Sequence, residues 1–216
     1  MSFSKLRRKM VDEQIKRRGV NDERVMNVMS EIPREFFVPD SLKTLSYDDS
    51  PVPIGGGQTI SQPYIVAKMT ELLDVQKNHI VLEIGTGSGY QAAILAKLSL
   101  RVFSIERITE LRKSAETTLK KLKIENAFII NGDGTIGLSQ YAPFDRIIVT
   151  AAGPNIPKNL LDQLKDNGII VMPVGNTQQQ VLIKAVKKDG KFEIEEHDWC
   201  RFVPLIGKYG FSDIGV

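Results

Sequence analysis

The sequence predicts an α/β fold built on a doubly wound, mostly parallel β-sheet, and two observations lead to this prediction. Short apolar runs alternate along the chain with segments of helical composition, which is the pattern of parallel strands joined by helices. The clearest unit is a buried strand at 80–84, a turn with three glycines at 85–89 and a helix at 91–98. Because such a turn brings main-chain N–H groups to the end of a strand, it is typical of a nucleotide-type binding site.

The chain before residue 60 predicts a helical cap laid across this nucleotide-type unit. Apolar residues recur on one face of residues 4–18, with Ser4 as a candidate N-cap and Gly19 as the end of the helix. Asp22 is a candidate cap of a second helix that runs to Met29. A connector rich in proline follows and leads into the sheet.

The remaining elements predict the sheet and its edge. A helix is expected at 63–73, and another at 158–164. Two β-rich segments joined by a turn at 188–191 form an edge hairpin, and the apolar tail at 201–207 is expected to fold back over the site. Each strand predicted beyond the glycine turn is a short apolar run bounded by turn residues. These strands cover 101–106, 127–131, 144–150, 169–174, 180–187 and 192–199.

Composition places the chain among ordinary globular proteins. With 42% hydrophobic and 25% charged residues over 216 positions, one domain is expected. The order of the predicted elements divides this domain into a cap and substrate loop (1–60), a cofactor-binding core (61–175) and a C-terminal hairpin and tail (176–216). The net charge of +3 and the lack of a long basic run argue against a nucleic-acid partner. One cysteine and no membrane-spanning run indicate a cytoplasmic protein, and a monomer is expected. The chain has only two histidines, His79 and His197, and one cysteine, and these do not form a zinc-binding motif, so no metal site is predicted.

The spacing of the three glycines distinguishes two kinds of ligand. A dinucleotide site has the spacing Gly-x-Gly-x-x-Gly, and its third glycine packs the helix against the strand. Here the glycines are Gly85, Gly87 and Gly89, and Tyr90 stands where that third glycine belongs. Glu83, at the end of the strand, would repel a pyrophosphate but suits a cationic sulfonium. The turn therefore favours S-adenosyl-L-methionine over NAD.

Two further carboxylates stand where the next strands end. Glu106 closes the strand at 101–106, about 20 residues beyond the glycines, where a carboxylate accepts the two hydroxyls of a ribose. Asp133 lies between two glycines and can accept a hydrogen bond from the exocyclic amine of adenine. The same aspartate could instead form an Asx turn, so both interpretations stay open.

A second informative stretch, 54–63, contains three glycines followed by alternating hydroxyl residues. If the chain is extended there, Thr59 and Ser61 point the same way while Ile60 points away. Hydroxyl groups just before a helix can bind a carboxylate, helped by the helix dipole. Alternatively, Ser61 or Gln62 is only the cap of the helix that begins at Pro63.

These motifs resemble the protein-L-isoaspartate O-methyltransferase family of bacteria and archaea, nearly from end to end. The glycine turn alone indicates only a methyltransferase, whereas the hydroxyl stretch together with the tail is specific to the family. Small departures are Gln62, where some relatives carry Ala, and Gly153, where many carry Ala or Pro. The matching segments are PREFFV (33–38), GQTISQPY (57–64), VLEIGTGSGY (81–90), GDG (132–134), IVTAA (148–152) and RFVPL (201–205).

The resemblance implies a Rossmann-like class I methyltransferase that uses S-adenosyl-L-methionine, with its last two strands exchanged relative to most related enzymes. The acceptor would be the free α-carboxylate of an isoaspartyl residue in a damaged protein, and the ester would collapse to a succinimide that yields some normal aspartate. Ser61 would be the active-site residue, with Thr59 beside it as the second catalytic hydroxyl. The expected substrate-binding residues are Ile60, Gln62, Phe202, Val203 and Pro204. The expected cofactor contacts are Glu83, Gly85, Thr86, Gly87, Ser88, Glu106, Arg107, Asp133, Gly134 and Thr150.

The chemistry agrees with these residue types. An acceptor carboxylate, with a reference pKa of about 4, is already ionised at neutral pH, so no general base is required. Two other functions stay open at this point. One is a methyltransferase for a small carboxylic acid, and the other is a binding protein or nicotinamide oxidoreductase on the same fold.

Overall fold

A seven-stranded β-sheet forms the centre of the molecule in a computed structural model, which describes residues 2–212. A separate two-stranded hairpin lies before it in the chain. The hairpin strands are β1 (Val52–Gly55) and β2 (Gln58–Ile60). The sheet strands are β3 (Ile80–Ile84), β4 (Arg101–Glu106), β5 (Ala127–Asn131), β6 (Phe144–Val149), β7 (Leu164–Gly175), β8 (Gln180–Lys188) and β9 (Lys191–Cys200).

Helices flank the sheet, and shorter helical turns connect them. The α-helices are α1 (Phe3–Lys9), α2 (Glu23–Glu31), α3 (Pro63–Leu73), α4 (Tyr90–Leu98), α5 (Thr109–Lys121) and α6 (Lys158–Asp162). A π-helical segment (Met10–Ile15) continues α1, and 3₁₀ turns cover Lys16–Arg18, Arg34–Phe36, Asp40–Leu45, Gly134–Ile136 and Ser139–Tyr141.

The strand order is β5-β4-β3-β6-β7-β8-β9. The first five strands in that order are parallel, and β8 pairs antiparallel with both β7 and β9. In the sheet, β8 lies next to β7 and β9 lies at the edge, so the last two strands are placed in the same order as in the chain, as the resemblance implies. The predicted doubly wound, mostly parallel sheet with an edge hairpin is confirmed.

Strand alternation divides the apolar core between the two faces of the sheet. Val81 and Val102 belong to the core cluster under α3, α4 and the N-terminal cap. Leu82 and Phe103, the next residue of each strand, belong to the cluster under α6 and the C-terminal tail. Both faces are covered, so the carboxyl edge of the sheet is where a ligand can enter.

The structure differs from the sequence prediction in three elements. The first helix does extend over the predicted segment, but its N-cap is Ser2 instead of Ser4, and its turns change from α to π to 3₁₀ before Gly19. No helix was predicted at α5. Strand β7 begins at Leu164, earlier than expected, because Leu164 pairs with Phe144 across a register shift.

Candidate functional site

A cavity of about 870 Å³ lies at the carboxyl ends of β3, β4 and β6. The β1–β2 hairpin and the tail after β9 form its other walls. Glu83, Asp133 and Gln62 do not line this cavity, although all three were predicted site residues. The predicted residues that do line it are Thr59, Ile60, Ser61, Gly85, Thr86, Gly87, Ser88, Glu106, Arg107, Gly134, Thr150, Phe202, Val203 and Pro204.

The glycine turn is fixed by its own conformation and by Thr150. Gly85 has a φ of +93°, and a Cβ there would lie 2.6 Å from Thr150 Oγ1. That hydroxyl donates to the carbonyls of Gly85 at 2.6 Å and Ile84 at 3.1 Å. Only glycine fits at position 85, and Thr150 holds the turn in place from β6.

Gly89, at the start of α4, allows α5 to pack closely against it. It stands one residue before the position of the third glycine in a dinucleotide site. Gly89 has a φ of +87°, and a Cβ there would lie 3.1 Å from Ala115 Cβ on α5. Tyr90 is 1% exposed, and its ring packs edge-on against Phe37 of the cap at 5.3 Å between centroids. The tyrosine that argued against NAD therefore anchors the N-terminal cap to the cofactor helix.

Glu106 ends β4 with its carboxylate at the cavity wall. One oxygen accepts from the main-chain N–H of Gly87 at 2.8 Å, and the other accepts from Ile108 N–H at 2.9 Å. The side chain is nearly buried, and each oxygen retains a further acceptor lone pair. This carboxylate can therefore hold the turn and accept hydroxyl groups of a ligand.

Glu83 lies beneath the glycine turn and is fully buried. Its Oε2 accepts from the Ser104 hydroxyl at 2.6 Å, and that hydroxyl lies 2.5 Å from Thr86 Oγ1. Burial raises the pKa of Glu83 to about 8; the Ser104 hydrogen bond opposes this shift, and the charge of Glu106 adds to it. Its other oxygen, Oε1, has no hydrogen-bond partner within residues 2–212, and the contact of Glu83 with a cofactor stays a prediction.

Asp133 forms the Asx turn that the sequence left open. Its Oδ1 accepts from the Thr135 N–H at 2.9 Å and the Thr135 hydroxyl at 2.7 Å, while Oδ2 accepts from Lys208 N–H at 2.8 Å. Burial acts to raise the pKa of Asp133, but these hydrogen bonds outweigh it and hold the pKa below its usual value. The adenine contact stays a prediction. Gly134, beside it, lines the cavity, and a Cβ there would overlap Ile84.

The segment at 58–62, called the hydroxyl loop below, contains β2 and the approach to α3. Thr59 and Ser61 both line the cavity, as the alternation predicted. Gln62 is the N-cap residue of α3 but makes no capping hydrogen bond, and its amide donates instead to Asp49 Oδ1 at 2.8 Å. Within residues 2–212 the Ser61 hydroxyl donates to no protein group, so the cap interpretation is wrong for both residues.

The tail after β9 closes the cavity from the side of the hydroxyl loop. Ala152, just after β6, donates its N–H to Val203 O at 2.9 Å and accepts from Leu205 N–H at 2.7 Å. The buried Gln180 accepts from Phe202 N–H at 2.8 Å. These main-chain bonds hold the tail in the predicted position.

A second cavity of about 230 Å³ adjoins the hydroxyl loop on its other side and includes Gln62 in its wall. Its outer wall was not predicted from the sequence. There the Tyr64 hydroxyl donates to Asp198 Oδ2 at 3.1 Å, and the Arg18 guanidinium lies 3.6 Å from the Tyr64 ring centroid. Trp199, at the rim, is 69% exposed, and an exposed tryptophan in an edge strand is the one signal that could have indicated this wall.

Other functional residues were also missed by sequence reasoning. Ile84, Ile105 and Ile108 form apolar walls of the large cavity, and their positions next to the glycine turn and Glu106 could have indicated this. Arg34, in the cap, donates a hydrogen bond to the main-chain oxygen of Ser61 at 2.7 Å. It stands in a quoted motif but had no assigned role.

Residues 2–212 contain no group of three His, Cys, Asp or Glu side chains arranged to hold a metal ion. Across the same part of the chain, every helix is too short or too polar to cross a bilayer.

Comparison with known families gives one consistent result. A family model described as protein-L-isoaspartate(D-aspartate) O-methyltransferase matches residues 5–210. A protein-L-isoaspartate O-methyltransferase of Dictyoglomus thermophilum is 51% identical over 207 residues, which cover 96% of this chain and 94% of that protein.

Solved structures agree with this result. A protein-L-isoaspartate O-methyltransferase superposes with a TM-score of 0.84 at 30% identity, covering 94% of this chain and 67% of that one. A Plasmodium falciparum protein of the same description, in complex with S-adenosyl-L-homocysteine, superposes with a TM-score of 0.81 at 29% identity, covering 93% of this chain and 98% of that one.

Proposed function

The chain belongs to the protein-L-isoaspartate(D-aspartate) O-methyltransferase family, and from this premise we propose how its residues divide the reaction. The enzyme transfers a methyl group from S-adenosyl-L-methionine to the free α-carboxylate of an L-isoaspartyl residue. In our proposal the large cavity binds the methyl donor, and the hydroxyl loop holds the acceptor. The observation that carries the proposal is the juxtaposition of a glycine turn and two hydroxyl residues, Thr59 and Ser61, in one cavity.

The cavity fits the methyl donor in size and in chemistry. Its volume of about 870 Å³ is in the range of cofactor sites. Glu106 has free acceptor lone pairs for the ribose hydroxyls, and Gly134, packed directly on Ile84, lines the wall proposed for the adenine. The bound donor supplies an electrophilic methyl group on a cationic sulfonium. The Glu106 carboxylate at the cavity wall favours a ligand of that charge.

The hydroxyl loop suits an acceptor that is already a nucleophile. A carboxylate loses its negative charge on the way to the transition state, so a strong cationic contact would stabilise the ground state more than the transition state. Hydroxyl donors from Ser61 and Thr59 can orient the acceptor oxygen with weaker, directional hydrogen bonds. Alignment of this kind contributes up to roughly 7–11 kcal/mol in oriented reactions.

The second cavity favours a peptide acceptor over a small carboxylic acid. The hydroxyl loop forms part of both cavities, so an acceptor held at Ser61 has a path outward past Gln62 and Trp199. An isoaspartyl residue needs such a path because the peptide continues on both sides of it. The main-chain bonds of Ala152 to the tail support the view that Phe202, Val203 and Pro204 line this path on a rigid segment.

We infer that the protein acts as a one-domain monomer in the cytoplasm, without a nucleic-acid partner. The edge strand β9 carries Lys191, Glu193, Glu195 and Glu196, and charges on an edge strand oppose pairing with a second chain. The single cysteine supports a reducing compartment, and the net charge of +3 is too small to favour nucleic acid.

The proposed function is tested by transfer of a labelled methyl group to an isoaspartyl peptide, with the aspartyl peptide of the same sequence as control. We expect base-labile label on the isoaspartyl peptide alone. Equal label on both peptides would contradict the assignment of the acceptor. Label only on a small acid such as succinate would favour the alternative acceptor class.

A further inference from the structure

Arg34 is a fully buried cation at the boundary between the cap and the site. Within residues 2–212 no carboxylate lies within ion-pair distance of its guanidinium. Burial lowers its pKa, and the neighbouring Tyr90 and Tyr47 oppose this shift. Burying a guanidinium without a charged partner costs free energy, so its contacts need a specific explanation.

Those contacts join three separate parts of the molecule. Arg34 Nε donates to the Ser46 carbonyl of the cap at 2.7 Å, and Nη2 donates to the Ser61 carbonyl of the hydroxyl loop at 2.7 Å. The guanidinium also lies 4.8 Å from the ring centroid of Tyr90, the first residue of the cofactor helix α4. One rigid planar group therefore links the cap, the hydroxyl loop and the cofactor helix.

Ser61 needs such a link because neither neighbouring element fixes it. Strand β2 ends at Ile60 and helix α3 begins at Pro63, so Ser61 lies between them. The direction of its hydroxyl follows from the orientation of its main chain. A charge-assisted hydrogen bond to its carbonyl is the strongest restraint that a neighbouring side chain can apply there.

We propose that Arg34 is a positioning residue of the methyl transfer, which acts through the main chain of Ser61 to aim its hydroxyl at the acceptor carboxylate. This inference rests on the proposed function. It assigns Arg34 a role in alignment without any contact with substrate or donor.

The first test compares Arg34→Met and Arg34→Lys with wild type and with Arg146→Met. Arg146 is a matched control, since it is also buried and donates to the main-chain oxygens of Asp74 and Asp145, at the opposite end of the sheet. We expect Arg34→Met to lower kcat/KM for an isoaspartyl peptide by about 10- to 100-fold, the range for a lost charged hydrogen bond. Affinity for S-adenosyl-L-homocysteine, measured by calorimetry, should change by less than about twofold, because Arg34 does not line the donor cavity and the Tyr90 ring that it touches is also packed against Phe37.

The conservative variant Arg34→Lys, combined with Ser61→Ala, gives a kcat/KM comparison that would not change if Arg34 had only a structural role. A lysine can reach one carbonyl but not both, so Arg34→Lys should retain an intermediate kcat/KM. In a Ser61→Ala background the effect of Arg34→Lys should largely disappear, because the hydroxyl it aims is gone. An undiminished effect in that background, or a loss no larger than that of Arg146→Met, would overturn the proposal.

Two complications are covered by the same set of proteins. If Arg34→Met does not fold, Arg34→Lys and the Ser61→Ala cycle decide the question. If wild type methylates no isoaspartyl peptide, the proposed function fails, and amide hydrogen exchange of residues 59–62 in Arg34→Lys then tests the restraint itself. Faster exchange there than in wild type would support a restraint by Arg34, and unchanged exchange would refute it.

Discussion

The donor half of the site and the acceptor half are each built around a buried ionisable side chain, which is an acid in the first and a base in the second. Beneath the glycine turn lies Glu83, a fully buried acid hydrogen-bonded to Ser104. Behind the hydroxyl loop lies Arg34, a fully buried base hydrogen-bonded to two main-chain carbonyls. The raised pKa of about 8 keeps Glu83 largely protonated and uncharged at neutral pH, whereas Arg34 is a cation on the side of the proposed anionic acceptor.

Neither buried group lines the large cavity, and this is what the comparison teaches. Glu83 is linked to the cavity-lining Thr86 through the Ser104 hydroxyl, and Arg34 is linked to the cavity-lining Ser61 through its main-chain oxygen. A direct ion pair would hold the ground state of a reaction in which both charges disappear. Buried groups that do not touch the ligands can support the local structure without that penalty.

The largest predicted effect concerns Glu83 and pH. Its pKa rises from 4.5 to about 8 on folding, so the folded protein keeps a proton where the unfolded chain has lost it. The stabilising contribution is therefore complete below about pH 4.5 and is lost as pH rises to about 8. From pH 5 to pH 8 we expect wild type to lose up to about 4 kcal/mol of unfolding free energy relative to Glu83→Gln, whose side chain cannot ionise.

Urea denaturation of both proteins at several pH values measures this difference. Glu110→Gln, on the exposed surface of α5, controls for the removal of a carboxylate in general. A constant difference between wild type and Glu83→Gln across this range would show that Glu83 is not a buried neutral acid. The contrast between a buried neutral acid at Glu83 and a buried cation at Arg34 would then no longer hold.

The second prediction concerns the glycine turn, where shape matters more than charge. Gly85→Ala introduces a Cβ at a φ of +93°, 2.6 Å from Thr150 Oγ1. We expect a loss of about 1–3 kcal/mol of stability from backbone strain, and at least about tenfold weaker binding of S-adenosyl-L-homocysteine as the turn shifts away from Thr150.

Gly19→Ala separates strain from the clash. Gly19 has nearly the same φ, +89°, but nothing lies within 4 Å of a Cβ there. It should lose similar stability from strain while binding S-adenosyl-L-homocysteine as wild type does. Equal loss of binding in both variants, measured by calorimetry, would mean that the turn and Thr150 do not define the donor half.

The donor half could be predicted from sequence because its parts are local. The glycine turn directly follows an apolar strand and Glu106 ends the next one, and parallel strands bring their carboxyl ends to one edge. Helix α5 was missed because its buried stripe is narrow. Only Leu111, Ala115 and Leu119 are buried among its 13 residues, and charged residues occupy most of the rest.

The acceptor half could be predicted only in part, because it is assembled from distant segments. Thr59 and Ser61 were found from their alternation, and the tail from its apolar composition. Arg34 and the outer wall formed by Tyr64 and Asp198 carry no periodic signal, since the partners of each residue are set by tertiary packing. The pairing of Tyr64 with Asp198 spans 134 residues of chain.

The smallest predicted effect on stability belongs to the variant that separates the two halves. Ser61→Ala removes a hydroxyl that makes no hydrogen bond within the described chain, so stability should hardly change. We expect kcat/KM for an isoaspartyl peptide to fall by about 10- to 100-fold, the range for one hydrogen bond to a charged acceptor and the upper limit for any effect of Arg34 through this hydroxyl. Affinity for S-adenosyl-L-homocysteine should stay at the wild-type value.

A matched control is Ser30→Ala, whose hydroxyl is donated within α2 to Asn27 O at 2.7 Å, far from the cavity in the fold. It should leave both kcat/KM and donor affinity unchanged. If Ser61→Ala weakened donor binding as much as it slowed transfer, the hydroxyl loop would belong to the donor half. Because Arg34 is proposed to act through Ser61, that result would also remove the reason for a buried base behind the loop.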